Sequence, residues 1–259
     1  MSKRQKFILV AALITLLFFL NQLVFPDQRY FTTLGLIGFT ALVLSGLFRQ
    51  IARQWSNVVG ALFLPLSFLA GMSFFYFIVP QGWFWQLSII LFFALGFYTS
   101  LLIENVFLVA NEFKTVPLYR AASTSGLLLM LTSAFFLFDT VFSFHFSAPI
   151  NGLLIFLIGL ALWLHFFWAT KLNRLWEREN LVLALIFSLI IAEISVMISF
   201  WPVGAGKGSL YLVSLLYVFS GLAQAYCRQR LFKKTIWEFI WVGLGTFLAL
   251  FLVTSWRGN

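Results

Sequence analysis

Charge is scarce in this chain. Only 10% of its 259 residues are Asp, Glu, Lys or Arg, whereas a water-soluble domain carries about 25%. Too little polarity is present to coat a surface facing water, which excludes an ordinary soluble fold. Acids are scarcer still, eight against 17 Lys and Arg, for a net charge of +9. In a soluble protein that excess would point to nucleic acid. Here the basic residues sit at the ends of apolar segments and no basic patch is interleaved with exposed aromatics, so no nucleic-acid partner is expected. Cysteine is nearly absent. The single Cys227 rules out an internal disulfide framework, and beside Arg228 and Arg230 it reads as an incidental reduced thiol. Two histidines and one cysteine supply no set of three metal ligands at workable spacing. Neither a metal nor a cofactor is expected.

What is present is apolar: 62% of the residues are hydrophobic, with 34 Phe and 10 Trp. Crossing about 30 Å of hydrocarbon takes about 20 apolar residues in a helix. Nine stretches qualify: Phe7–Phe25, Phe31–Phe48, Asn57–Val79, Phe84–Asn111, Ala121–Phe144, Pro149–Thr170, Asn180–Trp201, Ser209–Tyr226 and Ile236–Trp256. Their length makes them helices, because a membrane strand needs only about 9–11 residues and alternates in polarity. The expected fold is all-α: a polytopic transmembrane bundle of about nine spans. No gap is long enough for a soluble domain, so residues 1–259 read as one integral membrane domain. The opening Lys3-Arg4-Gln5-Lys6 and its apolar run mimic a signal peptide. The run is too long for a signal core and lacks a small-residue cleavage site, so it reads as an uncleaved first span.

The gaps alternate in charge. Fourteen of the 17 Lys and Arg fall at the N-terminus and in the second, fourth, sixth and eighth gaps, leaving Arg29, Lys207 and Arg257 for the other side. By the positive-inside rule the N-terminus is cytoplasmic and the C-terminus outside. The expected location is a bacterial cytoplasmic (inner) membrane. Trp55, Trp83, Trp85, Trp176, Trp201, Trp237 and Trp256 near span ends form an aromatic belt. Pro65 sits inside the third span and should kink it. Gly221/Ala225 and Ala122/Gly126 are small-residue pairs suited to close helix contact. Gly204-Ala-Gly206-Lys-Gly208-Ser209 lacks the spacing of a phosphate loop and follows no strand. It reads as a flexible hairpin between spans.

Ionisable groups inside spans are the best pointers to function, since each costs about 2.5–3.5 kcal/mol at a helix centre. Three carboxylates qualify: Glu104, Asp139 and Glu193. Glu238, one turn after Lys234, reads as interfacial. Ser100, Glu104 and Asn111 share a helix face, widened by Asn105. Thr132, Asp139 and Ser143 form a second stripe, extended by Ser125. Both faces are expected to point inward. Glu193 stands instead among Ile186, Leu189, Ile190, Val196, Met197 and Phe200. His165 lies near the inner end of its span. No span interior contains Lys or Arg, so none of these acids has a deep cationic partner.

The polar candidates are thus Glu193, Asp139, Glu104, Asn105 and His165. The leading expectation is a transporter-like protein moving a small solute or lipid-like molecule through an interior lined by the three acids, coupled to protons. The alternatives are a non-catalytic subunit or scaffold of an envelope assembly, and a membrane-embedded enzyme acting on a lipid-linked substrate. The partners expected are the lipid bilayer and a protein in the membrane. No intramembrane serine or paired-glutamate protease motif is present.

Overall fold

Inside lipid, backbone N–H and C=O groups have no water to bond, so a greasy chain must satisfy them within helices. A computed structural model describes residues 3–25, 28–79, 82–113 and 117–254. Among the described residues there are nine α-helices and no strand: α1 Lys3–Gln22, α2 Arg29–Arg49, α3 Trp55–Tyr76, α4 Trp83–Phe113, α5 Tyr119–Ser143, α6 Ala148–Lys171, α7 Arg178–Ser199, α8 Ala205–Cys227 and α9 Lys233–Val253. All nine are long and apolar enough to cross a membrane. This is a multi-pass membrane protein. Lys114, Trp256 and Arg257 lie outside the described residues.

Two boundaries differ from the sequence reading for physical reasons. Helix α1 stops at Gln22 rather than Phe25; Phe25, directly before Pro26, is itself disfavoured in helical geometry. Helix α8 starts at Ala205 rather than Ser209, with Gly204 as its extended N-cap. The glycine-rich segment is therefore the first helical turn and not a flexible hairpin.

The chain forms two compact units. Unit 1 holds α1 to α4, α5 as far as Leu137, and residues 172–176. Helix α1 packs on α2 and α4, and α3 on α2 and α4. Phenylalanines bind these helices. Phe18 of α1 stacks on Phe93 of α4 at 4.1 Å between centroids, and Phe93 stacks in turn on Phe68 of α3 and on Phe97. Gly96 makes room for the Phe68 ring. Gly71 lets α3 approach α5 so closely that an added Cβ would stand 3.2 Å from the Ser133 carbonyl oxygen.

The ends of unit 1 sort by charge. At one end Lys6 donates to Gln50 (2.8 Å), the Arg49 guanidinium donates to the Ala52 and Arg53 carbonyls, and the Arg53 N–H donates to Glu112 Oε1. The N-terminal cations thus share an end with the α2–α3 turn and the close of α4. At the other end Arg29 donates to the Val24 carbonyl and lies over the Phe77 ring, while Asn21 donates to Thr33.

Unit 2 holds α6 to α9 with the last turn and a half of α5, from Phe138. The dominant contact is α6 against α7. It is a small-residue seam: Gly152 and Gly159 of α6 face Val196 and Ser188 of α7, and buried Ala184, Ser188, Ala192 and Ser195 line the α7 side. Small residues let backbones approach where lipid gives no hydrophobic drive between helices. Trp163 fills the seam's edge by stacking on Phe187 at 4.6 Å. Lys171 pairs with Glu179 (2.8 Å) across the α6–α7 turn. Helix α9 contacts α8, where Gly221 receives the Phe239 ring. Among the described residues of α9 only Leu250 is buried.

Candidate functional site

Glu104 is fully buried in α4, as is Ser100 one turn before it. Asn105 and Asn111 are half-buried on the same helix. The expected inward stripe of α4 is therefore present. It continues onto neighbouring elements of unit 1: Asn57 of α3 donates to Asn111 Oδ1 at 3.3 Å, and Asn111 Nδ2 donates to the Asn173 carbonyl at 3.2 Å. Helices α3 and α4 run antiparallel, with Asn57 opposite Asn111 and Phe68 over Gly96. Interpolating between those contacts puts Ala61 at about the level of Glu104 and Asn105. Pro65 lies inside α3 and has no N–H, so the Ala61 carbonyl lacks the donor that a regular helix would provide. The deepest acid of unit 1 thus sits level with a break in the neighbouring helix's bonding.

Asp139 belongs to unit 2 and is 7% exposed. Ser209 Oγ lies 3.2 Å from Asp139 Oδ1, and the same hydroxyl lies 2.9 Å from the Ala205 carbonyl and 3.1 Å from that of Gly206. A hydroxyl has one proton, so the three oxygens share a single donor. Gly206 lies in the same turn, where a Cβ would stand 3.6 Å from Asp139 Oδ1, an ordinary contact distance. The carboxyl is seated against the first turn of α8 through this one hydroxyl. This is an anchoring arrangement. The α5 stripe read from sequence is shifted by one position: its buried polar residues are Ser133, Asp139 and Thr140, while Ser125, Thr132 and Ser143 are half-exposed.

His165 is buried in α6 of unit 2, its ring 5.9 Å from that of Trp168. Glu193 is the departure. Its side chain is exposed, so it does not line an interior. The face around it is exposed too: Ile186 49%, Leu189 52%, Met197 69% and Phe200 79%. The small-residue side of α7 is taken by α6, which turns this large apolar side outward. Glu104 falls in unit 1, and Asp139 and Glu193 in unit 2 on different helices with opposite burial.

Among the described residues, four of the surface grooves, two in each unit, are lined mainly by aliphatic and aromatic side chains. The largest, about 680 Å³, runs between α1 and α4 past Ile8, Thr15, Phe19 and Tyr98. None of the four is lined by Glu104, Asn105, Asp139, His165 or Glu193. Among the described residues no three His, Cys, Asp or Glu gather as a metal site would require.

A family model matches residues 29–253, nearly all of the helical chain; it is DUF5656, described as a protein of unknown function. The chain belongs to this family. No curated protein and no solved structure matches it. The matched region takes in α2 to α9 and every polar candidate named above.

Sequence reasoning missed Asn57, Asn173 and Ser209, the partners that hold Asn111 and Asp139. Asn57 opens a span and Ser209 closes a glycine-rich stretch, positions that read as boundaries. The helical register against α4 and α5 is what makes them partners.

Proposed function

We propose that this protein is a non-catalytic membrane subunit that assembles with other integral membrane proteins through its outward helix faces. The observation that carries the reading is Glu193, a carboxylate exposed on the outer face of α7 about 9 Å from the helix end. An ionisable side chain turned toward lipid is costly, by about 2.5–3.5 kcal/mol on the lenient scale. Contact with another protein removes that cost. Helix α9 supports the reading, since it too presents nearly all of its surface. The short gaps offer little for a soluble partner to grip. The setting we propose is a bacterial cytoplasmic membrane, with the N-terminus inside as the charge alternation implies.

The test is purification of the full-length chain from its native membranes in mild detergent. One stoichiometric membrane partner is the expected result. A monodisperse monomer with no companion would count against assembly.

A transporter-like role for a small solute or lipid-like molecule, driven by protons, is the second reading. Glu104 favours it. It is a fully buried acid in the same unit as a proline-broken helix, the kind of group that can take up and release a proton within a span. Proton flux into liposomes containing the chain, lost in Glu104→Gln, is the expected signature. Flux unchanged by that substitution would dismiss it.

A further inference from the structure

We propose that the Glu193 face of α7 docks a transmembrane helix of another protein that carries a lysine or arginine at the matching depth. The inference rests on the assembly reading above and names the chemistry of the partner. Glu193 has no hydrogen-bond or ion-pair partner among the described residues. Its surroundings on α7 provide none either, for Ile186, Leu189, Met197 and Phe200 are apolar and exposed one and two turns to either side.

Among the described residues no Lys or Arg pairs with Glu193. Its basic residues stand at helix ends or in gaps, as Lys171, Arg178 and Lys207 do around α7. Lys207 is in any case turned to the Val253 carbonyl, 3.3 Å away. A second copy would bring acid against acid at the same depth, and like charges repel. A basic side chain from another protein converts the exposed carboxylate into a charge-assisted pair inside hydrocarbon, where intramembrane charges are normally found paired. The apolar stripe around it supplies the flat contact that a helix needs. The opposite side of α7 is occupied by the glycine seam with α6, so docking leaves the fold of unit 2 undisturbed.

The probe is a leucine–alanine transmembrane peptide with one lysine about 9 Å from the end that matches the α7 C-terminus, compared with the same peptide carrying leucine there. The full-length chain is reconstituted in phosphatidylcholine vesicles and association is read by energy transfer. The lysine peptide should bind about tenfold or more tightly than the leucine peptide. Glu193→Gln and Glu193→Ala should both abolish the difference, while Glu238→Gln, at the far end of another helix, should keep it. Equal binding of the two peptides to the wild-type chain overturns the proposal, as does a preference that survives Glu193→Gln. Self-association of the wild-type chain without peptide, lost in Glu193→Gln, would give the face to a second copy instead and also overturns it. A native partner that co-purifies undiminished with Glu193→Gln removes the docking assignment and leaves the assembly reading standing. A wild-type chain with no native partner removes the assembly reading, whatever the peptide does.

Discussion

Asp139 illustrates how one residue is tied to its neighbours by what those neighbours lack. Ser209 offers it a single proton, already shared with two helix carbonyls. Removing the carboxyl leaves the Ser209 hydroxyl its two helix carbonyls but empties a buried polar position. Asp139→Ala should cost no more than about 0.5–1.5 kcal/mol, the net worth of one hydrogen bond, while Asp139→Asn, which keeps an acceptor oxygen, should be close to neutral. Thermal unfolding of the detergent-solubilised variants reads both. At Gly206 the 3.6 Å clearance is ordinary contact distance. Gly206→Ala should therefore be tolerated and Gly206→Leu should not. The alanine variant melting well below the wild type would refute this account of the notch. Glu193 is the residue the sequence described least well. A helical wheel finds its apolar companions but does not say which side of the wheel meets lipid. The answer lies in the other side, where Ala184, Ser188, Ala192 and Ser195 match Gly152 and Gly159 on α6. In lipid it is the small face that packs, the reverse of the habit learned from soluble helices.

At the scale of elements, the α6–α7 pair depends on that seam. A Cβ at Gly152 would stand 2.6 Å from Val196 Cγ2, closer than atoms approach without one of them moving. Gly152→Leu should cost about 1–3 kcal/mol through overpacking, seen as a lowered melting temperature of the purified chain. Helix ends carry a different strain. Helix α8 closes with Gln229 at φ 53°, its N–H donating to the Tyr226 carbonyl and the Arg230 N–H to that of Ala225. This is the paired-bond helix stop that normally uses glycine. Gln229→Gly should therefore stabilise the chain by up to about 1 kcal/mol, and a lower melting temperature would contradict it. Helix existence was legible from length and hydropathy alone, because lipid admits only helices and closed barrels and the runs are too long and too uniformly apolar for barrel strands. Helix ends were less so. Gly204–Ser209 reads as a hairpin by propensities measured in water, yet its backbone is helical from Ala205.

For the whole molecule, the charge alternation makes a statement about sides that is open to direct test. Within unit 1 the basic N-terminus and the Arg49–Arg53 turn do meet at one end, and Arg29 holds the other. Single cysteines placed at Lys6, Arg53 and Lys233 in a Cys227→Ser background should all react from the cytoplasmic side. Cysteines at Arg29 and Lys207 should react only from outside. Labelling of Lys6 and Lys233 from contrary sides would break the scheme. The span count could be read from the chain directly. The division into two units could not, because it depends on which helix faces find each other, and α5 passes from one unit to the other between Leu137 and Phe138.

The seating of α9 has a consequence of its own. The first half of this helix is held by one ring in one notch, Phe239 at Gly221, and its second half by Phe247 and Phe251 against Trp201 and Tyr211, with Lys207 reaching the Val253 carbonyl. A leucine at position 221 would fill the notch and evict the ring. The start of the last helix would then swing away from α8 while its far end, clamped at Trp201, stayed in place: a hinged door rather than a loose pole.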